Sequence, residues 1–191
     1  MTEITKQNDV KETTVLPPAV ERFVLHWGDM GGQWGVNRSV SQIHALLYLS
    51  ERPLTAEDIA DRLGIARSNV SNSLKELLGW ELIRRVPVRG DRREHFEAET
   101  DIWGIMRRIV AGRKAREFDP ALAALRTCIA DIDGDKRVTP VAAKRLKDML
   151  AFTEALDGWY AQMLTVPSSS LSGLIRLGSK IMKYLPARKA G

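Results

Sequence analysis

Ser68, Ser71, Asn72 and Lys75 stand at the i, i+3, i+4, i+7 spacing that puts four side chains on one face of a helix. All four donate hydrogen bonds, most also accept them, and Arg67 stands just before them. Exposed helix faces usually carry Glu and Lys, so a Ser/Asn stripe points to a contact that needs short polar groups. Such groups let a helix lie close to base edges and phosphates in a major groove. Downstream, Arg89-Gly90-Asp91-Arg92-Arg93 puts three guanidinium groups on one narrow turn. That chemistry suits the electronegative minor groove of a nucleic acid. Asp91 would leave the polyanion to the cations and hold either a neighbouring arginine or the helix by a charge-assisted bond. Between Arg62 and Arg93 eight basic residues face three acidic ones, so this window alone matches the +5 excess of the whole chain. A solvated helix face and a solvated turn are the plain alternatives.

A helix, a short turn, a second helix and a basic hairpin must position these groups. Thr55-Ala56-Glu57-Asp58 reads as a capping box that opens a short helix with Ile59, Ala60 and Leu63, ended by Gly64. After a three-residue turn comes the helix over about 66–78, with Val70, Leu74, Leu77 and Leu78 on its core side and Gly79 at its end. Two β-prone runs, 82–88 and 94–98, flank the basic turn, where Gly90 permits the tight bend. Ahead of them, Pro17-Pro18 open a helix with the apolar stripe Val20, Phe23, Val24, Trp27 and Trp34, which Gly31-Gly32 should weaken or kink. Ser39 is expected to cap a second helix, with Ile43, Leu46 and Leu47 on one side and Pro53 beyond its end.

Beyond the hairpin the pattern is helical. Thr100-Asp101 begin a helix with Ile102, Ile105, Met106 and Ile109, and Asp119-Pro120 signal a fresh start before Leu122, Leu125 and Ile129. Thr139-Pro140 repeat that signal. The following helix carries Ala142, Leu146, Met149, Thr153, Leu156, Tyr160 and Met163 at alternating steps of four and three, the spacing of a coiled-coil seam. Pro167 and three serines precede a basic amphipathic helix over 171–185, where Arg176, Lys180 and Lys183 oppose a leucine- and isoleucine-rich side.

Other chemistries find little support. No Ser/His/Asp or Cys/His grouping and no phosphate loop is present, so neither catalysis nor a cofactor is expected. His26, His44 and His95 lack metal-site spacing. Asp131, Asp133 and Asp135 have the start of a calcium loop, but Lys136 stands where glycine is needed and Ala142 where the bidentate glutamate is needed. Cys128, the single cysteine, has two readings, a redox-sensing thiol and an inert thiol packed beside Leu125 and Ile129, and the second is expected. The aromatics Phe23, Trp27, Trp34, Tyr48 and Trp103 have two readings: a cage for a quaternary ammonium, or ordinary core and dimer contact.

The stretch from Ile59 to Trp103 resembles MarR-type winged-helix regulators, most closely their GbsR branch. The resemblance rests on SNVSNSLKEL, the wing GDRREHFE, the aromatic first helix ERFVLHWGDMGGQWG and the DP-initiated helix after the wing. It covers roughly residues 18–130 and fades beyond. It implies a homodimer that binds a pseudo-palindromic operator, usually as a repressor. It also implies groove contacts from Arg67, Ser68, Asn69, Ser71, Asn72 and Lys75 and wing contacts from Arg89, Arg92 and Arg93. A choline-like or osmolyte-related effector is implied by the branch without being fixed by it.

The expected architecture is therefore mostly α with a small β-hairpin, a winged helix-turn-helix dimerised through its N-terminal and C-terminal helices. Residues 1–16 should be a disordered N-terminus, 17–100 the DNA-binding domain, 101–166 the helical dimerisation region and 167–191 a basic amphipathic tail. The polar start without an apolar h-region and the lone cysteine suit the cytoplasm. Two rival functions are a ligand-independent architectural DNA-binding protein and a membrane-peripheral protein using the 171–185 helix. Packing of that helix on a partner subunit explains it more simply, and no stable membrane association is expected.

Overall fold

The protein, described here by a computed structural model over residues 15–132, 135, 137–167, 170, 171, 173 and 177, divides into two units, Met1–Asp101 and Ile102–Gly191. The 1–14 segment and most of the 171–185 helix lie outside the described residues.

The first unit runs α1 (Pro18–Gln33), α2 (Arg38–Tyr48), β1 (Leu54–Thr55), α3 (Ala56–Leu63), α4 (Arg67–Gly79), β2 (Ile83–Val88) and β3 (Asp91–Ala98). Its core is the set Val24, Ile43, Leu46, Leu54, Ile59, Val70 and Leu77, all almost fully buried. One residue comes from α1 and two each from α2 and α4, so the helices converge on a single apolar centre. Each such side chain contributes roughly 1.5–3 kcal/mol by leaving water.

Several details differ from the sequence expectation. α1 runs through Gly31 and Gly32 and ends at Gln33, one residue short of Trp34, the last member of the expected stripe. Gly31 is where α2 packs closest: a Cβ there would meet Ser41 Oγ, and one on Gly28 would lie 2.6 Å from Gln42 Cγ. The cap of α2 is Asn37, whose side chain accepts from the Ser39 amide at 2.8 Å; Ser39 itself lies inside the helix. α4 ends at Gly79 as expected, but the glycine is not the left-handed residue of the stop. The Glu81 and Leu82 amides bond back to Leu78 and Leu77 in a Schellman motif, and the left-handed residue is Glu81, at φ 55°.

The sheet has three strands, one more than the expected hairpin, in the order β1-β3-β2. β1 is two residues long, with Leu54 opposite Phe96 and Thr55 opposite His95. Strand β3 also starts earlier than expected, at Asp91, which leaves Arg89-Gly90 as a two-residue tip with Gly90 at φ 85°. The register slips between Val86 and Val88, around Pro87. A proline is tolerated there because β2 is an edge strand and the bulge needs no ladder donor.

The second unit contains α5 (Ile102–Arg113), a π-helical turn over Lys114–Phe118, α6 (Asp119–Ile132) and α7 (Pro140–Thr165). Asp119 is not an N-cap. Its backbone is helical at φ −62°, ψ −42°, and the π turn joins α5 to α6 without a break. The wider turn makes room for Pro120, which has no N–H to give and would crowd an ordinary helix. Thr139 does cap α7, accepting from the Ala142 amide at 3.2 Å.

The coiled-coil seam expected on α7 is split. Leu146, Thr153, Tyr160 and Met163 are half-buried, whereas Ala142, Met149 and Leu156 are exposed. The reason is that α6 packs on α7 within the chain, pinned by Arg126 and Glu154 at 3.0 Å, and covers only one side of the seam. Met149, Phe152, Leu156 and Trp159 remain as an exposed apolar row at steps of three and four. Cys128 is exposed, contrary to the packed thiol expected. It lies at the edge of the stripe that Leu122, Leu125 and Ile129 form on α6.

Candidate nucleic-acid interface

The local sequence explains how α4 is presented. The Thr55 hydroxyl accepts from the Asp58 amide at 3.1 Å, and the Asp58 carboxylate accepts from the Thr55 amide at 2.9 Å, which closes the capping box and fixes the start of α3. Partial burial works against the Asp58 carboxylate, but the Thr55 hydrogen bonds outweigh it and hold the carboxyl below its ordinary range. Gly64, left-handed at φ 62°, ends α3 and turns the chain into α4.

On α4, Val70, Ser73, Leu74 and Leu77 point into the core. Leu78 is only half-buried. Ser68, Ser71, Asn72 and Lys75 are all exposed, as the stripe predicts, and so is Asn69. Four of the five divide between two concavities. Asn69 and Asn72 line a small polar one of about 150 Å³ that also meets Asn37 and Ser39 at the start of α2. Ser71 and Lys75 line a larger groove of about 430 Å³ between α4 and the wing strands.

The five cations expected at the interface fall into two groups. Lys75, Arg89 and Arg92 are exposed and form no ion pair with any described residue. Arg67 and Arg93 are engaged. Arg67 Nη2 lies 2.5 Å from Glu57 Oε1. Arg93 grips Asp91 with its Nε and Nη2 at 2.9 and 2.5 Å, and its Nη1 lies 3.8 Å from Glu57 Oε2. Asp91 thus has the expected role of holding a neighbouring arginine. Hydrogen bonds from the Arg93 side chain and amide push its carboxyl down to about 2, so the pair stays charged across the neutral range. Buried His95 buttresses the same corner, with Nδ1 2.9 Å from the Arg93 carbonyl oxygen and Nε2 3.5 Å from Asp91. Arg84–Glu97 and Arg85–Glu94 pairs stiffen the hairpin behind it.

Glu57 was not singled out by the sequence. Its only visible signal is that of an acid in the first turn of a helix, whereas its two partners stand 10 and 36 residues away. The aromatic set is dispersed over the chain. Phe23 and Trp27 stack on each other at 5.4 Å, Tyr48 tilts against His44 at 6.4 Å, and Trp34 follows the last turn of α1. Trp103 belongs to α5 in the second unit. Among the described residues no group of His, Cys, Asp and Glu is arranged to hold a metal, and Asp133 of the calcium-like run lies outside them. Asp135 of that run instead accepts from the Arg137 amide and guanidinium. No helix of the described residues is long and apolar enough to cross a membrane.

Residues 34–94 match the sequence profile described as the MarR family. Over 90 residues the chain is 20% identical to YvaV of Bacillus subtilis (strain 168), whose name describes an HTH-type transcriptional regulator, with 47% of this chain and 51% of that protein covered. The chain thus spans about half the length of that relative. It is also 22% identical over 137 residues to GbsR of the same organism, named an HTH-type transcriptional repressor, covering 68% of this chain and 75% of that one. A crystal structure described as a transcriptional regulator shares the fold, with a TM-score of 0.58, 21% identity, and 77% of this chain and 96% of that chain covered.

Proposed function

We propose that this protein, whose residues 34–94 match the MarR family profile, is a sequence-specific DNA-binding transcriptional regulator that represses by gripping a pseudo-palindromic operator as a homodimer. The observation that carries the reading is the exposed Ser/Asn/Lys face of α4 beside a wing whose Arg89 and Arg92 have no ion pair among the described residues. In this reading α4 enters the major groove, where Asn72 and its neighbours meet base edges, and the wing tip reaches the adjacent minor groove. Base contacts select the sequence, while the arginines supply affinity and register.

The homodimer is supported by the apolar row Met149, Phe152, Leu156 and Trp159 on α7 and by half-exposed Phe23 on α1, which a lone chain leaves in water. A two-fold dimer presents α4 twice, so the operator holds two inverted half-sites about one helical turn, or a multiple of it, apart. Release by a small-molecule effector, choline-like or osmolyte-related, is the remaining part of the proposal. Contact through Phe23, Trp27, Trp34, Tyr48 or Trp103 would be read as a rise in melting temperature with choline that Trp27→Ala abolishes.

The test is a fluorescence anisotropy titration of a duplex of about 30 base pairs at several salt concentrations, comparing the parent with Arg92→Ala. Parent binding should weaken steeply with salt, and the variant should bind less tightly with a slope smaller by about one phosphate contact per site. Identical affinity and slope would remove the wing from the interface, and no binding by the parent would end the reading.

A further inference from the structure

Glu57 stands in the first turn of α3 and divides its carboxylate between two elements. One oxygen takes Arg67, at the start of α4, and the other faces Arg93, on the wing strand. Two guanidinium groups from opposite sides of the groove thus converge on a single anion. All three side chains are substantially solvent-exposed, and the groove they edge is about 430 Å³. A planar fork of this kind fits carboxylate and phosphate alike.

We infer that Arg67 and Arg93 form one subsite for a DNA backbone phosphate, and that Glu57 occupies it as an internal competitor in the DNA-free protein. The inference rests on the reading that α4 and the wing face DNA. A phosphate seated between recognition helix and wing must displace the Glu57 carboxylate, and afterwards lies near a like charge. Exposed ion pairs are weak, so the displacement is feasible. Two of the five interface cations are nonetheless spent internally until it happens. Asp91 does not release Arg93 in this step, because its bidentate grip uses Nε and Nη2, while Glu57 faces Nη1. The effect lowers affinity for any duplex, whatever its sequence, since the contact is to backbone.

Glu57→Gln keeps the side-chain shape and removes the charge. On a random-sequence duplex of about 30 base pairs the variant should bind about 3–10-fold more tightly and with a steeper salt slope, by up to about one phosphate contact per site. The gain should vanish when Arg67→Ala and Arg93→Ala are added, because the competitor then has nothing to mask. Thermal melting of each variant checks that the fold is intact, and Glu57→Ser, which also removes the charge, serves as a second variant. Unchanged or weaker binding by both folded Glu57 variants, or a gain that survives loss of both arginines, overturns the inference. A parent protein that binds no duplex at all would overturn the DNA reading and this inference with it.

Discussion

Among single residues, the two sides of the interface should separate by mutation. Asn72→Ala should lose about 1–3 kcal/mol on the operator and less on random DNA, since base edges carry sequence information. Arg92→Ala should weaken both, which competition anisotropy would read directly. The types and spacing of Ser68, Ser71, Asn72 and Lys75 suffice to place them on one exposed face. Nothing in the chain order, however, says that Arg67 and Arg93 share Glu57, because the three meet only once α3, α4 and β3 are assembled. A second residue-scale prediction concerns His44. Burial pushes its imidazole down to about 4, and Nε2 finds no hydrogen-bond partner among the described residues. The unfolded chain therefore binds a proton near pH 6.5 that the folded chain refuses until about pH 4. This contribution to stability is fully present above pH 6.5 and falls away as pH drops through that window, by at most about 3 kcal/mol. Urea melts at pH 7 and pH 4.5 should show a larger loss for the parent than for His44→Leu, and parallel losses would contradict it.

At the scale of elements, strong local signals read correctly and weak or compensated ones did not. The Thr55 capping box, the Gly64 stop and the Thr139 cap each need only nearby residues, so the sequence contains them whole. β1 is two residues long and exists only because β3 offers it a ladder, which no local pattern announces. Asp119-Pro120 looked like a helix start because the π turn that absorbs the proline depends on packing. Gly31-Gly32 looked like a weakness for a similar reason, since the value of Gly31 lies in α2 coming close. The two glycines should therefore respond oppositely to substitution. Gly31→Ala would drive a methyl into Ser41 and should cost about 1–3 kcal/mol by overpacking. Gly32→Ala meets nothing within 4 Å and should gain up to about 1 kcal/mol from helix propensity. Equal shifts in denaturation midpoint would refute the close-packing account of α1 and α2.

At the scale of the whole molecule, the two units differ in how well they bury their own apolar surface. The first has a continuous core, whereas the second buries only Ile105 and Leu122 among its described hydrophobic residues. The α7 seam read as a partner contact from its heptad spacing alone, which does not tell a partner subunit from α6, the helix that packs on α7 within the chain. Light scattering at micromolar concentration should give twice the 21.4 kDa chain mass, and Phe152→Glu together with Trp159→Glu should shift it toward the monomer. A parent that scatters as a clean monomer would remove the dimer from the account. Whether α4 and the wing read a two-fold DNA site can be decided by selecting bound duplexes from a randomised pool and sequencing them. An enriched pair of inverted half-sites is expected, with centres about 10–10.5 base pairs apart or a multiple of that, and a blurred motif for Asn72→Ala. A pool in which the parent protein enriches no shared sequence would rule out a two-fold operator.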